Sequence, residues 1–129
     1  MLVSELMTRE FTSVRTSATI TDVAKTMKER RQRFVSIVEG DRVLGVICDR
    51  DIVTNIVARE IEASTCHVHI LASTLKVTVA PSAEAVDAAR VMVENGQQCL
   101  CVMDGGALVG LVSLDDLAKA PNATSVVSQ

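Results

Sequence analysis

A chain of 129 residues with 48% hydrophobic side chains can form one domain, or two small fused ones, with a buried core. Its formal charge of −3 and its two phenylalanines as the only aromatics exclude a general nucleic-acid binder, which needs a basic stripe and stacking platforms. No apolar run approaches a membrane span and no signal peptide precedes Met1, so a cytoplasmic protein with no membrane partner is expected, its cysteines (Cys48, Cys66, Cys99, Cys101) held as thiols.

In chain order, residues 4–9 read as a short helix with Ser4 as its cap, and Phe11 to Val14 as a short extended piece. Thr19 to Asp22 resembles a capping box with Asp for Glu. Ile20, Val23, Ala24 and Met27 then recur at helical spacing until the charged run Lys28-Glu29-Arg30-Arg31. Phe34–Val38 and Val43–Ile47 read as a hairpin turned at Glu39-Gly40-Asp41-Arg42. Asp49 to about Arg59 is expected as a helix carrying Ile52, Val53, Ile56 and Val57 on one face.

Sliding the chain by 65 residues repeats the pattern. Val14, Ser17, Ala18, Asp22 and Met27 fall on Val79, Ser82, Ala83, Asp87 and Met92, and Gly45 and Asp51 fall on Gly110 and Asp116. This is an internal repeat of strand, helix, strand, strand, helix. The expected division is a first repeat over 1–60, a linker and lead-in over 61–72, a second repeat over 73–121, and a mobile tail over 122–129 beyond Pro121. One repeat has too few residues to bury its own sheet face, so the two are expected to pack as a pseudo-twofold pair, a mixed α/β (α+β) fold of small sheets covered by helices.

The chemistry concentrates in two matching stretches, Gly45-Val46-Ile47-Cys48-Asp49-Arg50-Asp51 and Gly110-Leu111-Val112-Ser113-Leu114-Asp115-Asp116. In each, a strand ends and a small polar or sulfur residue opens a helix, with a carboxylate three residues on. Backbone N–H groups of the first helical turn then lie beside an acceptor able to take both hydroxyls of a ribose. The same pattern also serves plain helix capping. Cys66-His67-Val68-His69 has the residue types of a metal site but no closed zinc spacing, and reads first as polar linker. No nucleophile–base pair or P-loop appears, so no enzyme is expected.

The doubled pattern resembles a tandem pair of cystathionine-β-synthase (CBS) domains, a Bateman module, over nearly the whole chain. Leu6-Met7-Thr8, Val79-Ala80-Pro81-Ser82-Ala83 and the two Gly-led motifs carry the resemblance. It implies a non-catalytic sensor of an adenosine ligand (AMP above ADP, ATP, NAD or S-adenosylmethionine), with no required cofactor, in clefts between the copies. On this chain it implies that Cys48 and Asp51 face Lys76, Val77 and Thr78, and that Ser113 and Asp116 face Phe11, Thr12 and Ser13. Arg33 and Arg50 would meet phosphates. A homodimer through the repeat helices and an effector protein in trans are also implied. The other readings are a structural dimerisation module without a nucleotide, or a thiol or metal sensor.

Overall fold

The computed structural model describes residues 1–74 and 77–127, which divide into two units. One is the continuous stretch Phe11–Lys76; the other joins Met1–Glu10 to Val77–Gln129.

In the continuous unit, β1 (Ser13–Arg15) runs parallel to β2 (Phe34–Glu39), which pairs antiparallel with β3 (Arg42–Cys48), giving a sheet of order β1-β2-β3. Between β1 and β2 lies α2 (Ile20–Arg30), α1 (Val3–Leu6) belonging to the other unit. The expected capping box forms. The Thr19 hydroxyl accepts the Asp22 N–H at 3.1 Å and the Asp22 carboxylate accepts the Thr19 N–H at 3.2 Å. Ile20, Val23 and Met27, at helical spacing, are buried against Val35, Ile37 and Ile47 of the sheet. The helix ends at Arg31 in the left-handed region, φ 54°. The helix expected to run from Asp49 to Arg59 is broken up. It forms as α3 (Asp49–Ile52) followed by a π-helical turn over Val53–Val57. The wider turn keeps Ile56 in the core but leaves Val53 and Val57 57% and 63% exposed, so the expected apolar face is split.

The second unit repeats the plan. β4 (Thr78–Val79) is parallel to β5 (Cys99–Asp104), which pairs antiparallel with β6 (Ala107–Ser113). The register shift between Ile37 and Val38 recurs between Val102 and Met103, 65 residues on. α4 (Ala85–Asn95) buries Ala85, Ala88, Ala89 and Met92 and ends at Gly96, φ 63°, where the first repeat has Arg31. α5 (Leu114–Leu117) follows β6. Part of the expected mobile tail is ordered: α6 (Thr124–Val127) packs Val126 and Val127 on the core, behind the fully buried Ala120 and Ala123. Residues 128–129 lie outside the described residues.

The expected domain boundaries differ from this division at both lead-ins, and for one reason. Each stretch that precedes a repeat is clipped onto the other repeat. The Val3 N–H donates to Ala83 O at 2.9 Å and the Ala85 N–H to Met1 O at 2.8 Å. In the other unit the Val68 N–H donates to Ala18 O and the Ile20 N–H to Cys66 O, both at 2.8 Å. These are the same bonds displaced by 65 residues. Each uses free N–H groups at a helix start, and each buries a valine, Val3 or Val68, completely. A buried valine contributes about 1.5–3 kcal/mol, so the lead-ins are core elements rather than linkers. The stretch read as linker accordingly continues into a 3-10 helix over Val68–Thr74, with Leu71 in the core. On the other side, Thr8 exchanges hydrogen bonds with Leu111 at 2.7 and 3.0 Å. That approach explains Gly110: a Cβ there would lie 2.7 Å from Met7 Sδ and 3.0 Å from Thr8 O.

Candidate functional site

In the continuous unit β3 ends at the buried Cys48, which is the N-cap of α3. Asp51 Oδ2 accepts the Cys48 N–H at 2.9 Å, so the carboxylate is fixed against the helix start. Asp49 donates its N–H to Arg33 O at 2.9 Å, and its carboxylate pairs with Arg33 Nε at 3.2 Å. The Arg33 guanidinium lies 5.7 Å from the centre of the Phe34 ring. The side chain of Arg50 is exposed, while its carbonyl accepts the Thr54 hydroxyl. Burial pushes the Cys48 thiol up to about 11, with the Asp51 carboxylate adding to the rise and the backbone N–H groups of Asp51 and Arg50 opposing it.

The second unit builds the same corner with a hydroxyl. Ser113, buried, accepts the Asp116 N–H on Oγ at 3.1 Å, and Asp116 Oδ2 accepts the Ser113 N–H at 3.0 Å. This is a complete capping box. The first motif forms the same capping box with the Cys48 sulfur, a weaker acceptor, in place of the hydroxyl. Leu114 donates its N–H to Gln98 O at 3.1 Å, as Asp49 does to Arg33 O. Lys119 Nζ stands 3.9 Å from Asp116 Oδ1. The Asp116 side chain is 21% exposed, so it is part of the fold's framework as well as a candidate acceptor. Beside this motif lies a cavity of about 400 Å³ lined by Met92, Gly96, Gln98, Leu114 and Asp115 among others. Among the described residues its lining includes the Asp115 carboxylate and no cationic side chain.

Within each motif the residues singled out from the sequence lie together, Cys48 with Asp51 and Ser113 with Asp116. The segments implied to face them behave as follows. Thr12 O accepts the Ser36 N–H at 2.9 Å, Ser13 Oγ pairs with Ser36 Oγ at 2.5 Å, and Phe11 is half-buried. Val77 packs half-buried on the core of its own unit, and Thr78 pairs with Cys101 in the β4–β5 register. Lys76 lies outside the described residues. By the division into units, Lys76 falls with Cys48 and Asp51, whereas Val77 and Thr78 fall in the other unit, and Ser113 and Asp116 fall in a different unit from Phe11, Thr12 and Ser13. Two partners escaped the sequence reading. Asp49 as the counter-ion of Arg33 is long-range and left no local signal, whereas Lys119 three residues after Asp116 is a helical spacing that the sequence does display.

Elsewhere, burial pushes the Cys101 thiol up to about 11. The His67 and His69 rings lie 6.1 Å apart, and Cys66 Sγ turns to His67 O at 3.8 Å. Among the described residues no three His, Cys, Asp or Glu side chains converge as a metal site requires.

The CBS-domain family model matches residues 3–58 and 70–123. An uncharacterized protein from Acidianus ambivalens is 33% identical over 120 residues, which cover 92% of this chain and 71% of that protein. The structure of a Burkholderia ambifaria protein with CBS domains superposes with a TM-score of 0.84 at 26% identity, covering 92% of each chain. A CBS-domain protein from Pyrobaculum aerophilum, in complex with AMP, shares the fold with a TM-score of 0.82 at 24% identity, covering 99% of this chain and 98% of that one. Two repeats with the same corner, the same hairpin irregularity and matching clips, both spanned by one family model, mean that the chain belongs to the CBS-domain family as a tandem pair.

Proposed function

We propose that the chain is a non-catalytic regulatory module that binds an adenosine-containing ligand, AMP foremost, and passes metabolite state to an effector protein in trans. The observation that carries this reading is the doubled aspartate. Asp51 and Asp116 each use one carboxylate oxygen, Oδ2, to accept a backbone N–H at a strand-to-helix corner. That bond fixes the carboxylate, so a ribose taken on its remaining acceptor capacity would meet a preorganised group. The adenine would be clamped by the segments Phe11–Ser13 and Lys76–Thr78, as the family resemblance implies. AMP in the P. aerophilum relative supports the ligand class.

Arg50 is the better phosphate partner, because Arg33 is already shared with Asp49. Lys119 stands near Asp116, but the adjoining cavity carries Asp115. A ligand with few phosphates therefore suits both motifs better than ATP. Self-association as a homodimer and a cytoplasmic location complete the reading. A thiol-sensor role is disfavoured: Cys48 and Cys101, with pKa values raised to about 11, hold little thiolate at neutral pH.

The test is calorimetry of the purified chain with AMP, adenosine and ATP. AMP should bind, and Arg50→Leu should weaken AMP several-fold while leaving adenosine nearly unchanged. Absence of binding by all three would favour a purely structural dimerisation module.

A further inference from the structure

A smaller cavity, of about 200 Å³, lies wholly within the continuous unit and is lined by neither Cys48 nor Asp51. Its lining is Asn55, Ile56, Arg59, Ile61, Ile70 and Leu71. The π-helical turn shapes it. The Ala58 N–H donates to Val53 O at 2.9 Å and the Ile61 N–H to Ile56 O at 3.0 Å, in each case across five residues. Between them Glu60 takes a φ of 56°, in the left-handed region. A non-glycine residue is held there only by its surroundings, and such strain gathers at ligand clamps.

The second repeat shows that the fold does not require these side chains. Asn55, Arg59 and Ile70 fall on Ala120, Thr124 and Glu5, 65 residues away. Each of those serves its own unit. Ala120 is fully buried, the Thr124 hydroxyl donates to Ala118 O at 3.1 Å, and the Glu5 carboxylate accepts the Leu2 N–H at 2.6 Å. In the continuous unit, among the described residues, the side chains of Asn55 and Arg59 have no ion-pair or hydrogen-bond partner. Ile70 is 56% exposed at a position where the other repeat has a charge.

We propose that this cavity binds a small aliphatic monocarboxylate, a second ligand independent of the adenosine compound in the regulatory reading. Ile56 and Leu71, both buried, supply apolar surface for a short hydrocarbon tail together with Ile61 and Ile70. The Arg59 guanidinium can take the carboxylate on two parallel N–H donors, and the Asn55 amide can add a third. Size and charge set aside the alternatives. Sites for drug-sized ligands have about 300–1,000 Å³, so a nucleotide is too large. Among the described residues the lining has one cation and no carboxylate. A free amino acid would leave its ammonium unpaired there, and a phosphate dianion would be only half neutralised. With one charged contact and roughly eight ligand atoms, a Kd on the order of 1 mM is expected.

The probe is 4-methylpentanoate, titrated into the full chain while the protein methyl groups are followed by NMR. Saturable shifts centred on Ile56, Ile61, Ile70 and Leu71 are expected. The uncharged 4-methylpentanamide should bind about tenfold more weakly, since the charged hydrogen bonds are lost. Arg59→Gln, at an exposed position, should erase that difference between acid and amide. Ile70→Glu installs the residue of the second repeat and should weaken the acid about tenfold or more by repulsion. Saturating AMP should leave the acid's affinity unchanged. No saturable shift up to about 20 mM, shifts centred elsewhere, an acid preference that survives Arg59→Gln, or displacement of the acid by AMP overturns the proposal. AMP calorimetry on the same samples keeps the two readings apart. AMP binding without acid binding sinks this site only, and acid binding without any adenosine ligand sinks the adenosine reading only.

Discussion

Replacing Asp116 by alanine and by asparagine separates two roles of one carboxylate. Asp116 Oδ2 accepts the N–H of the buried Ser113, closing the box that starts α5. Alanine removes that acceptor, and losing a cap costs about 0.5–2 kcal/mol. α5 has only four residues and carries the fully buried Leu117, so fraying reaches the core, and about 1 kcal/mol or more is expected. For a unit of this size that lowers the melting temperature by about 4–8 °C per kcal/mol. Asparagine keeps an acceptor in the same place and should stay within about 0.5 kcal/mol of the parent in stability. Both variants lose the charged acceptor proposed for the ribose, which should weaken AMP by about 1.5–3 kcal/mol, roughly 10- to 150-fold. Urea unfolding followed by circular dichroism reads the first role and AMP calorimetry the second. An asparagine variant that binds AMP as tightly as the parent refutes the ribose role. An alanine variant as stable as the parent refutes the framework role.

Gly110→Ala should cost about 1–3 kcal/mol of stability by overpacking, since its Cβ would meet Met7 Sδ at 2.7 Å and Thr8 O at 3.0 Å. Met7→Ala in the same chain should recover part of the loss, and urea midpoints that simply add would contradict the contact. Arg31→Gly should stabilise by about 1 kcal/mol, because a side chain at φ 54° is strained where the second repeat uses Gly96. A lowered midpoint would show that the Arg31 side chain contributes more than the strain costs. Cys48 and Cys101 should react with a thiol reagent at pH 8 far more slowly than the half-buried Cys66. Their folded pKa values lie above the ordinary 9.0, so the stability they contribute is full below about pH 9 and is lost as pH rises toward 11. A urea midpoint unchanged between pH 8 and 10.5 would contradict this.

What the sequence displayed was local or repeated. The Thr19–Asp22 box, the spacing of Ile20, Val23 and Met27, and the two hairpins each lie within a few residues, and the 65-residue shift exposed the second copy of each. The two strand-to-helix motifs were readable for the same reason. What stayed hidden was partner choice. Met1–Glu10 looks like the lead-in of the repeat it precedes, and no residue in Leu6-Met7-Thr8 says which sheet edge it joins. The π-helical turn at Val53–Val57 hid because Ile52, Val53, Ile56 and Val57 satisfy an ordinary helical period. α6 hid because Pro121 argues for an ending, and only the packing of Val126 and Val127 brings the chain back.

The clipped lead-ins also bear on how the chain is made. The unit Phe11–Lys76 is contiguous and can close as soon as Val68 and Leu71 have left the ribosome. Met1–Glu10 is synthesised before that stretch, yet the elements that receive it, around Ala83, Ala85 and Leu111, come after the whole of it. At about 5–20 residues per second the intervening segment alone imposes a wait of roughly 3 to 13 s. Throughout that time Val3, Leu6 and Met7 have no core to enter, and they become a natural target for a holding chaperone. Residues translated before the contiguous unit therefore take their native place after it.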